Sequence, residues 1–371
     1  MADLDSIYSP LKAAHHWDRI QQLREGKQPA PVFVQIMISD LCNHDCDFCA
    51  YRMSGYTSNE WFKVDDPVTG LVSNNPNRMI PYEKVVEILD DCVAMGVKAC
   101  EITGGGEPTV HPKSRDIFRD VISHGLDGGL VTNGMLFREG TPEILSNFKW
   151  VRVSVDAGTA ETYSRMRSVP DQSYARTLSN IEALVRCKAN NPDSETIVGV
   201  GYVVTKDNYN EILMAVERFA GMGVDNIRLS AVFTPENAKY FEGIYQECKD
   251  ITLEAVAKYS RPDFKVFNLF GDRLADLEQG RPDYKKCQFI NWQTIIGGDQ
   301  NVYFCCNTAY NPQGFIGSIK NQSFKALWES KAKRDRFDAF DATTCERCMF
   351  NQKNKTIAYL VQAKPDHSNF I

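Results

Sequence analysis

Three cysteines, Cys42, Cys46 and Cys49, fall within the eight residues CNHDCDFC. Thiolates are the soft donors of zinc and of iron–sulfur centres. A structural zinc ion takes four closed ligands, and nothing adjacent completes this set. His44 lies inside the loop, between the first two cysteines, a poor position for a fourth ligand. A four-iron cubane takes one thiolate per iron, so three thiolates leave one iron open. An open iron can bind an external ligand and do chemistry on it. A second group, Cys287, Cys305, Cys306, Cys345 and Cys348, falls in the last quarter. Cys92, Cys100, Cys187 and Cys248 are isolated in the middle. Free cysteine of that kind is commonly a small buried hydrophobe.

The rest of the chain must place these groups. Its 371 residues leave room for a large core and an appended domain. Apolar residues make up 43% and charged residues 24%, as in ordinary globular proteins. A net charge of −6 argues against a protein held to nucleic acid by a basic surface, though a local basic groove stays open. The one basic run, KAKRDR (331–336), reads as a solvated helix face. The first thirty residues lack an apolar signal core, and no apolar run approaches the roughly 18 residues of a membrane span. The expectation is a cytoplasmic protein with no membrane partner. A reducing compartment turns twelve cysteines toward metal or catalytic use.

Strand and helix patterns alternate. Residues 9–25 read as a helix, capped by Ser9 with Pro10 in its first turn. VFVQIMI (32–38) reads as a strand that leads straight into the three-cysteine loop. Residues 51–80 form a long polar segment, of a length that is usually functional or mobile. Five more helix–strand units follow, with strands near 99–105, 129–134, 150–156, 195–205 and 225–233. This pattern predicts a parallel sheet, and six units suit an open partial barrel better than a closed eight-fold one. Chemistry in such barrels sits at the C-terminal strand ends, where the cysteine loop lies. Beyond about 236 the pattern changes. A hairpin with its turn at Gly297-Gly298-Asp299, a helix over 323–337 and the Cys345-Glu-Arg-Cys348 knuckle suggest a small second domain.

With Phe48 just before its third cysteine, the C-x₃-C-x₂-C loop after a first strand resembles that of the radical S-adenosylmethionine superfamily. Gly104-Gly105-Gly106-Glu107-Pro108 is similar to that family's GGE motif. The resemblance implies that Cys42, Cys46 and Cys49 hold a 4Fe–4S cluster whose open iron chelates S-adenosylmethionine. It implies that Gly105, Gly106 and Glu107 hold the methionine amino group, and that Thr132, Asn133, Ser154 and Asp156 contact methionine or ribose. Val203, in the strand segment 199–204, would pack against adenine. Reductive cleavage of the cofactor would give a 5′-deoxyadenosyl radical that abstracts hydrogen from a substrate C–H. The protein's part is orientation and the exclusion of water. Arg52, Tyr56 and Trp61, on the segment after the cluster, are the candidate substrate contacts, with Arg52 and Tyr56 as candidate catalytic residues.

The second cysteine group resembles the SPASM and Twitch extensions of that superfamily. No cysteine follows Cys348, so the shorter Twitch form with one auxiliary 4Fe–4S cluster is the better match. The resemblance makes Cys287, Cys305, Cys345 and Cys348 its ligands, with Cys306 as an alternative to Cys305. The same four thiolates could instead hold zinc. The expected architecture is α/β: a partial (β/α)6 TIM-like barrel followed by a small α+β Twitch-type domain. Its divisions are 1–31 (N-terminal helical extension), 32–235 (barrel), 236–285 (helical bridge), 286–355 (auxiliary domain) and 356–371 (tail).

The favoured outcome is dehydrogenation or epimerisation of a small molecule, as an oxidoreductase or isomerase, with a reductant such as flavodoxin or ferredoxin. Cys306 and Cys248 are the candidate hydrogen donors for epimerisation. Ribosomal peptide modification is the first alternative; only about 31 residues precede the first strand, fewer than a leader-binding domain needs. The stretch CAYRMSGYTSNEWF also resembles radical S-adenosylmethionine proteins of bacteriophages, some linked to isomerisation of an amino-acid adduct on thymidine in DNA. A non-catalytic electron carrier is the alternative of another class.

Overall fold

The computed structural model describes residues 7–53, 64–66, 71–72 and 78–366. Pro10–His15 forms a 3-10 turn, with Ser9 Oγ accepting from the Leu11 amide, and His16 separates it from α1 (Trp17–Arg24). The single helix expected over 9–25 is therefore two pieces. The strands and helices of the barrel then alternate: β1 (Phe33–Met37), α2 (Tyr82–Met95), β2 (Ala99–Thr103), α3 (Ser114–Ser123), β3 (Asp127–Thr132), α4 (Thr141–Leu145), β4 (Trp150–Ser154), α5 (Ala160–Arg167), α6 (Gln172–Asn190), β5 (Ile197–Val204), α7 (Ile212–Gly221) and β6 (Asn226–Ala231).

Two features correct the expected layout. Residues 236–285 are not a purely helical bridge. After α8 (Tyr245–Tyr259) comes β7 (Lys265–Asn268), which pairs in parallel with β6, and then α9 (Phe270–Gln279). Four residues are too few for a period-2 pattern to stand out, so this strand was silent in the sequence. The second cysteine region also does not form a separate sheet. Its first strand, β8 (Gln293–Ile296), pairs in parallel with β1, and β9 (Asn301–Tyr303) and β10 (Phe315–Ser318) extend the edge antiparallel. Among the described residues the sheet order is β10-β9-β8-β1-β2-β3-β4-β5-β6-β7. The helix expected over 323–337 breaks at Ser330 into α10 (Phe324–Glu329) and α11 (Lys331–Ala339), because the Ser330 hydroxyl caps the second piece. The helix α12 (Asn351–Val361) ends the described fold.

Alternation along each strand decides what faces what. Val34, Ile36, Cys100, Ile102, Val151, Val153, Val198 and Val200 point outward and are buried beneath the helices. α2 answers them with Val85, Ile88, Leu89 and Cys92, a spacing that puts all four on one face, and it ends at Gly96 in the left-handed conformation (φ 74°). Each fully buried aliphatic side chain contributes about 1.5–3 kcal/mol. The opposite, inward face carries Gln35, Glu101, Arg152 and Arg228, a polar set that packing alone does not explain. The N-terminal segment touches both the edge strand β7 and the turn that leads into β8. Tyr8 packs edge-on against Phe267 of β7, while Ala13 and Ile20 share a cluster with Phe289, Trp292 and Ile357 of α12.

Candidate cluster sites

The first thiol loop follows β1 after a short connection. Ser39 bridges to Met79, and its hydroxyl accepts from the Leu41 amide at 3.1 Å. Cys42, Cys46 and Cys49 are free and half-buried. The Cys49 amide bonds back to the Cys46 carbonyl, and the Asp45 and Asp47 amides bond to the Arg167 and Met166 carbonyls, which clips the loop to the end of α5. Burial pushes the Cys42 thiol up to about 12, with the Glu107 charge adding to it. Burial likewise raises Cys46 to about 11, against the pull of Arg167. Without a metal these are protonated thiols, so loading a cluster must release protons.

The glycine loop leans directly on this one. The Gly106 amide donates to the Ser39 carbonyl at 3.0 Å and the Glu107 amide to the Leu41 carbonyl at 2.9 Å. A Cβ on Gly106 would collide with the Leu41 carbonyl, and one on Gly104 with the Gly106 carbonyl. The glycines are required by close backbone approach. Gly105 is buried between them. The Glu107 carboxylate, buried and raised by that burial, accepts from the Thr109 amide and hydroxyl, the Thr132 hydroxyl (2.6 Å) and the Asn133 amide (2.7 Å). Its side chain is committed to the end of β3, which leaves backbone as the exposed surface of the motif. Asn133 in turn donates to Asn43 inside the cysteine loop at 2.7 Å.

Asp156 is also committed. It adopts φ 58°, accepts from the Val203 amide at 2.6 Å with one oxygen and pairs with Arg167 through the other. Ser154 and Val203, by contrast, are half-buried on the inward face, and Ser154 sits level with Gly201. Phe48 is half-buried, with the Arg167 guanidinium 6.0 Å from its ring.

Arg52 does not reach into the barrel. Its guanidinium donates to the His44 carbonyl and to Asp45, both at 3.0 Å, and so braces the cysteine loop against itself. Those acceptors lie only eight and seven residues back. Tyr56 and Trp61 lie outside the described residues.

Arg167 is the residue that sequence reading missed. It is buried, donates to the Val155 carbonyl at 3.2 Å, pairs with Asp156, lies 3.2 Å from His44 Nδ1 and reaches Cys46 Sγ at 4.0 Å. Burial alone would lower its pKa, but the Asp156 and Cys46 charges outweigh that and hold it protonated. His44 is buried beside it, with its pKa lowered to about 3 by burial and the Arg167 charge. Neutral and held by Met135 Sδ at 3.4 Å, it is a packing element of the loop. A helix-end arginine far along the chain carries no local signal for either contact.

The second thiol set converges from separate segments. Cys287, Cys305, Cys345 and Cys348 line one small cavity, closed by Tyr284, Phe289, Phe340 and Phe350. Cys306 is not in that lining. Sulfur atoms receive hydrogen bonds as cluster thiolates do: the Phe350 amide to Cys348 at 3.3 Å and Gln313 Nε2 to Cys345 at 3.7 Å. Among the described residues no three His, Cys, Asp or Glu side chains gather tightly enough to hold a lone metal ion. Four thiols around one cavity match the one thiolate per iron that a cubane takes. Cys306 turns instead to the inward face, where it packs with Met37, Ile295 and Tyr303 and feels the Glu101 charge. Cys248 is fully buried in the hydrophobic core beneath the outer helices.

Residues 36–219 match the family described as the radical SAM superfamily, and residues 287–349 match the SPASM iron–sulfur cluster-binding domain. The chain belongs to the radical S-adenosylmethionine superfamily and carries a C-terminal SPASM domain. These domains bring S-adenosylmethionine and two 4Fe–4S clusters as cofactors. Two relatives match over long stretches. A tungsten-containing aldehyde ferredoxin oxidoreductase cofactor-modifying protein of Pyrococcus furiosus is 25% identical over 67% of this chain and 72% of its own length. The antilisterial bacteriocin subtilosin biosynthesis protein AlbA of Bacillus subtilis is 24% identical over 86% of this chain and 64% of its own. Streptococcus suis SuiB, solved with its precursor peptide SuiA, shares the fold at a TM-score of 0.59 and 14% identity, over 90% of this chain and 73% of that one. The anSMEcpe structure with bound AdoMet gives 0.57 and 17%, over 83% and 84%. Among the described residues no helix is long and apolar enough to cross a membrane.

Proposed function

We propose that this enzyme abstracts a hydrogen atom from a substrate carbon held inside the barrel and returns one from Cys306, so that the net outcome is epimerisation. Cys42, Cys46 and Cys49 would hold the first cluster, and Cys287, Cys305, Cys345 and Cys348 the auxiliary one. The backbone of Gly105 and Gly106, with Ser154 and Val203, would border the bound S-adenosylmethionine. Thr132, Asn133, Glu107 and Asp156 would act behind that surface, by fixing the strand ends. When bound, the first cluster and S-adenosylmethionine supply a 5′-deoxyadenosyl radical.

The observation that carries the reading is the position of Cys306. It is half-buried, absent from the lining of the cluster cavity, and turned to the inward face near Glu101. Burial, and then the neighbouring Cys305 charge, raise its pKa well above the ordinary thiol value, so it keeps its S–H hydrogen. Transfer of that hydrogen atom breaks the S–H bond and forms the new C–H bond. The thiyl radical left behind takes one electron from a reductant of the flavodoxin or ferredoxin class and one proton from solvent, which restores the S–H bond. Dehydrogenation is the second reading, favoured by the auxiliary thiol set as a place for an electron acceptor. AlbA, named for bacteriocin biosynthesis, and SuiB, solved with a precursor peptide, support a peptide-borne residue as substrate beside a free small molecule.

The test is anaerobic. Reconstituted enzyme with dithionite and S-adenosylmethionine should form 5′-deoxyadenosine, and a true substrate, labelled with deuterium, should pass that label into it. In D₂O the epimerised product should carry one solvent deuterium. Cys306→Ala should keep its iron content and lose that deuterium. Product with no solvent hydrogen and two hydrogens fewer would establish dehydrogenation instead.

A further inference from the structure

The inward face of the barrel carries positive charge with little to balance it. Arg152 of β4 and Arg228 of β6 flank β5, whose inward positions beside them are Gly199 and Gly201. The Asn226 side chain of β6 leans over Gly199, whereas over Gly201 the nearest side-chain atoms are those of Arg152. A Cβ on Gly201 would sit 3.6 Å from Arg152 Cδ, so the arginine stem lies across that glycine. The Arg152 guanidinium lies 5.3 Å from the Trp150 ring, near enough for its charge to act on Arg228. Burial, and then the Arg152 charge, lower the Arg228 pKa to about 10.

Neither arginine makes an ion pair among the described residues, and Arg228 Nε is buried without a hydrogen-bond partner. Gln293 Nε2, on the inward face of β8, is buried and unpartnered as well. Both orphaned atoms are N–H donors. From the closing side comes Lys353 of α12, half-buried, its pKa lowered to about 8 by burial and then by Arg273 and Lys12. Arg273 itself is spent on Asp276 and the Met349 carbonyl. Glu101 is the carboxylate that faces these cations, and among the described residues it has no hydrogen-bond donor of its own. A buried guanidinium without an acceptor is costly unless a ligand completes it. Its planar fork matches the two oxygens of a carboxylate or phosphate.

We propose that the barrel interior binds an oxyanion of the substrate, a carboxylate or a phosphate, between Arg152 and Arg228. The proposal rests on the reading above only in calling that ligand the substrate. Binding would place an anionic handle midway along the strands, and the carbon to be attacked would then lie toward the strand ends and the cysteine loop.

Calorimetry under anaerobic conditions on the reconstituted enzyme tests this, with inorganic phosphate and malonate as separate probes at millimolar concentration. One of the two should bind, and which one names the group. Arg228→Met and Arg152→Met, which keep side-chain bulk, should each weaken binding about tenfold or more, as expected for loss of a charged hydrogen bond. Glu101→Gln should tighten it, an arm that does not depend on losing function. Saturating S-adenosylmethionine should leave the affinity unchanged. Displacement by S-adenosylmethionine would assign the arginines to that cofactor's own carboxylate and overturn the proposal. So would binding that is equal in the arginine variants, or absent for both probes in the wild type. Cleavage of S-adenosylmethionine by the wild type is scored apart from these titrations, so either reading can fail alone.

Discussion

The two thiol sets are built in opposite ways. Cys42, Cys46 and Cys49 come from one eight-residue loop, and the strand before it only has to aim them. Cys287, Cys305, Cys345 and Cys348 come from distant parts of the chain and meet only once β8, β9 and the 345–348 knuckle are in place. As the proposed ligands, the local set stops at three and would leave an iron for an outside ligand. The distributed set reaches four and would close. For the second set, cluster binding should be coupled to folding, because the ligand cage does not exist in the unfolded chain.

The largest effect should follow from breaking the open set. Cys46→Ala should reduce formation of 5′-deoxyadenosine to background and remove about four of about eight irons per chain, counted at four per cubane. Undiminished cleavage by this variant would refute the assignment of the first loop. Next comes the closed set. Cys305→Ala should also lose about four irons, but it should lower thermal stability as well, since a distributed cage is part of the fold. Cys306→Ala should lose none. The reverse pattern in an iron and sulfide count would exchange the roles of the two neighbours.

A third prediction tests how local the first set is. Its loop is short, yet it is held by Arg167, more than a hundred residues on, through His44, Cys46 and Asp156. Arg167→Met would leave the Asp156 carboxylate buried and unpaired. Breaking a buried pair in this way costs about 3–5 kcal/mol. Denaturant unfolding of the cluster-free protein should show a loss of that order. A loss under about 1 kcal/mol, the scale of an exposed pair, would mean that the loop holds itself.

The same division marks what the sequence disclosed. The first cysteine loop, the GGGEP turn and the strand ends at Thr132 and Ser154 were readable because each is a short pattern on one side of a strand. The six alternating units were readable for the same reason. What stayed hidden depended on contacts across the chain. The four residues of β7 have too little length to show a period. The parallel pairing of β8 with β1 joins residues 260 positions apart and leaves no local mark. The commitment of Glu107 and Asp156 to strand ends was invisible because a motif names a residue and not its partners. The partners of Arg52 were hidden for that reason also: its acceptors are in the loop beside it.

Lys333 tests how firmly the closed set is seated on the rest of the molecule. It is wholly buried in α11, between the rings of Trp328 (4.2 Å) and Phe337 (3.9 Å), and bonds to Gln28 Oε1 at 3.0 Å, which ties the hairpin of α10 and α11 to the segment before β1. Trp328 Nε1 adds a bond to the Pro29 carbonyl at 3.1 Å. Burial lowers the Lys333 pKa from 10.5 to about 7. The unfolded chain therefore binds the proton more readily than the folded one between those values. Stability from this group is complete above pH 10.5 and is lost as pH falls toward 7. Over that window the slope should be at most about 1.4 kcal/mol per pH unit, less where the aromatic faces and Gln28 stabilise the charge. Unfolding free energies measured at pH 7.5 and 8.5 should rise by that order, and Lys333→Met should flatten the rise while costing little at pH 7. A slope that persists in the variant would place the titration elsewhere. It would leave the seam between the auxiliary domain and the N-terminal segment to Trp328 and its apolar neighbours.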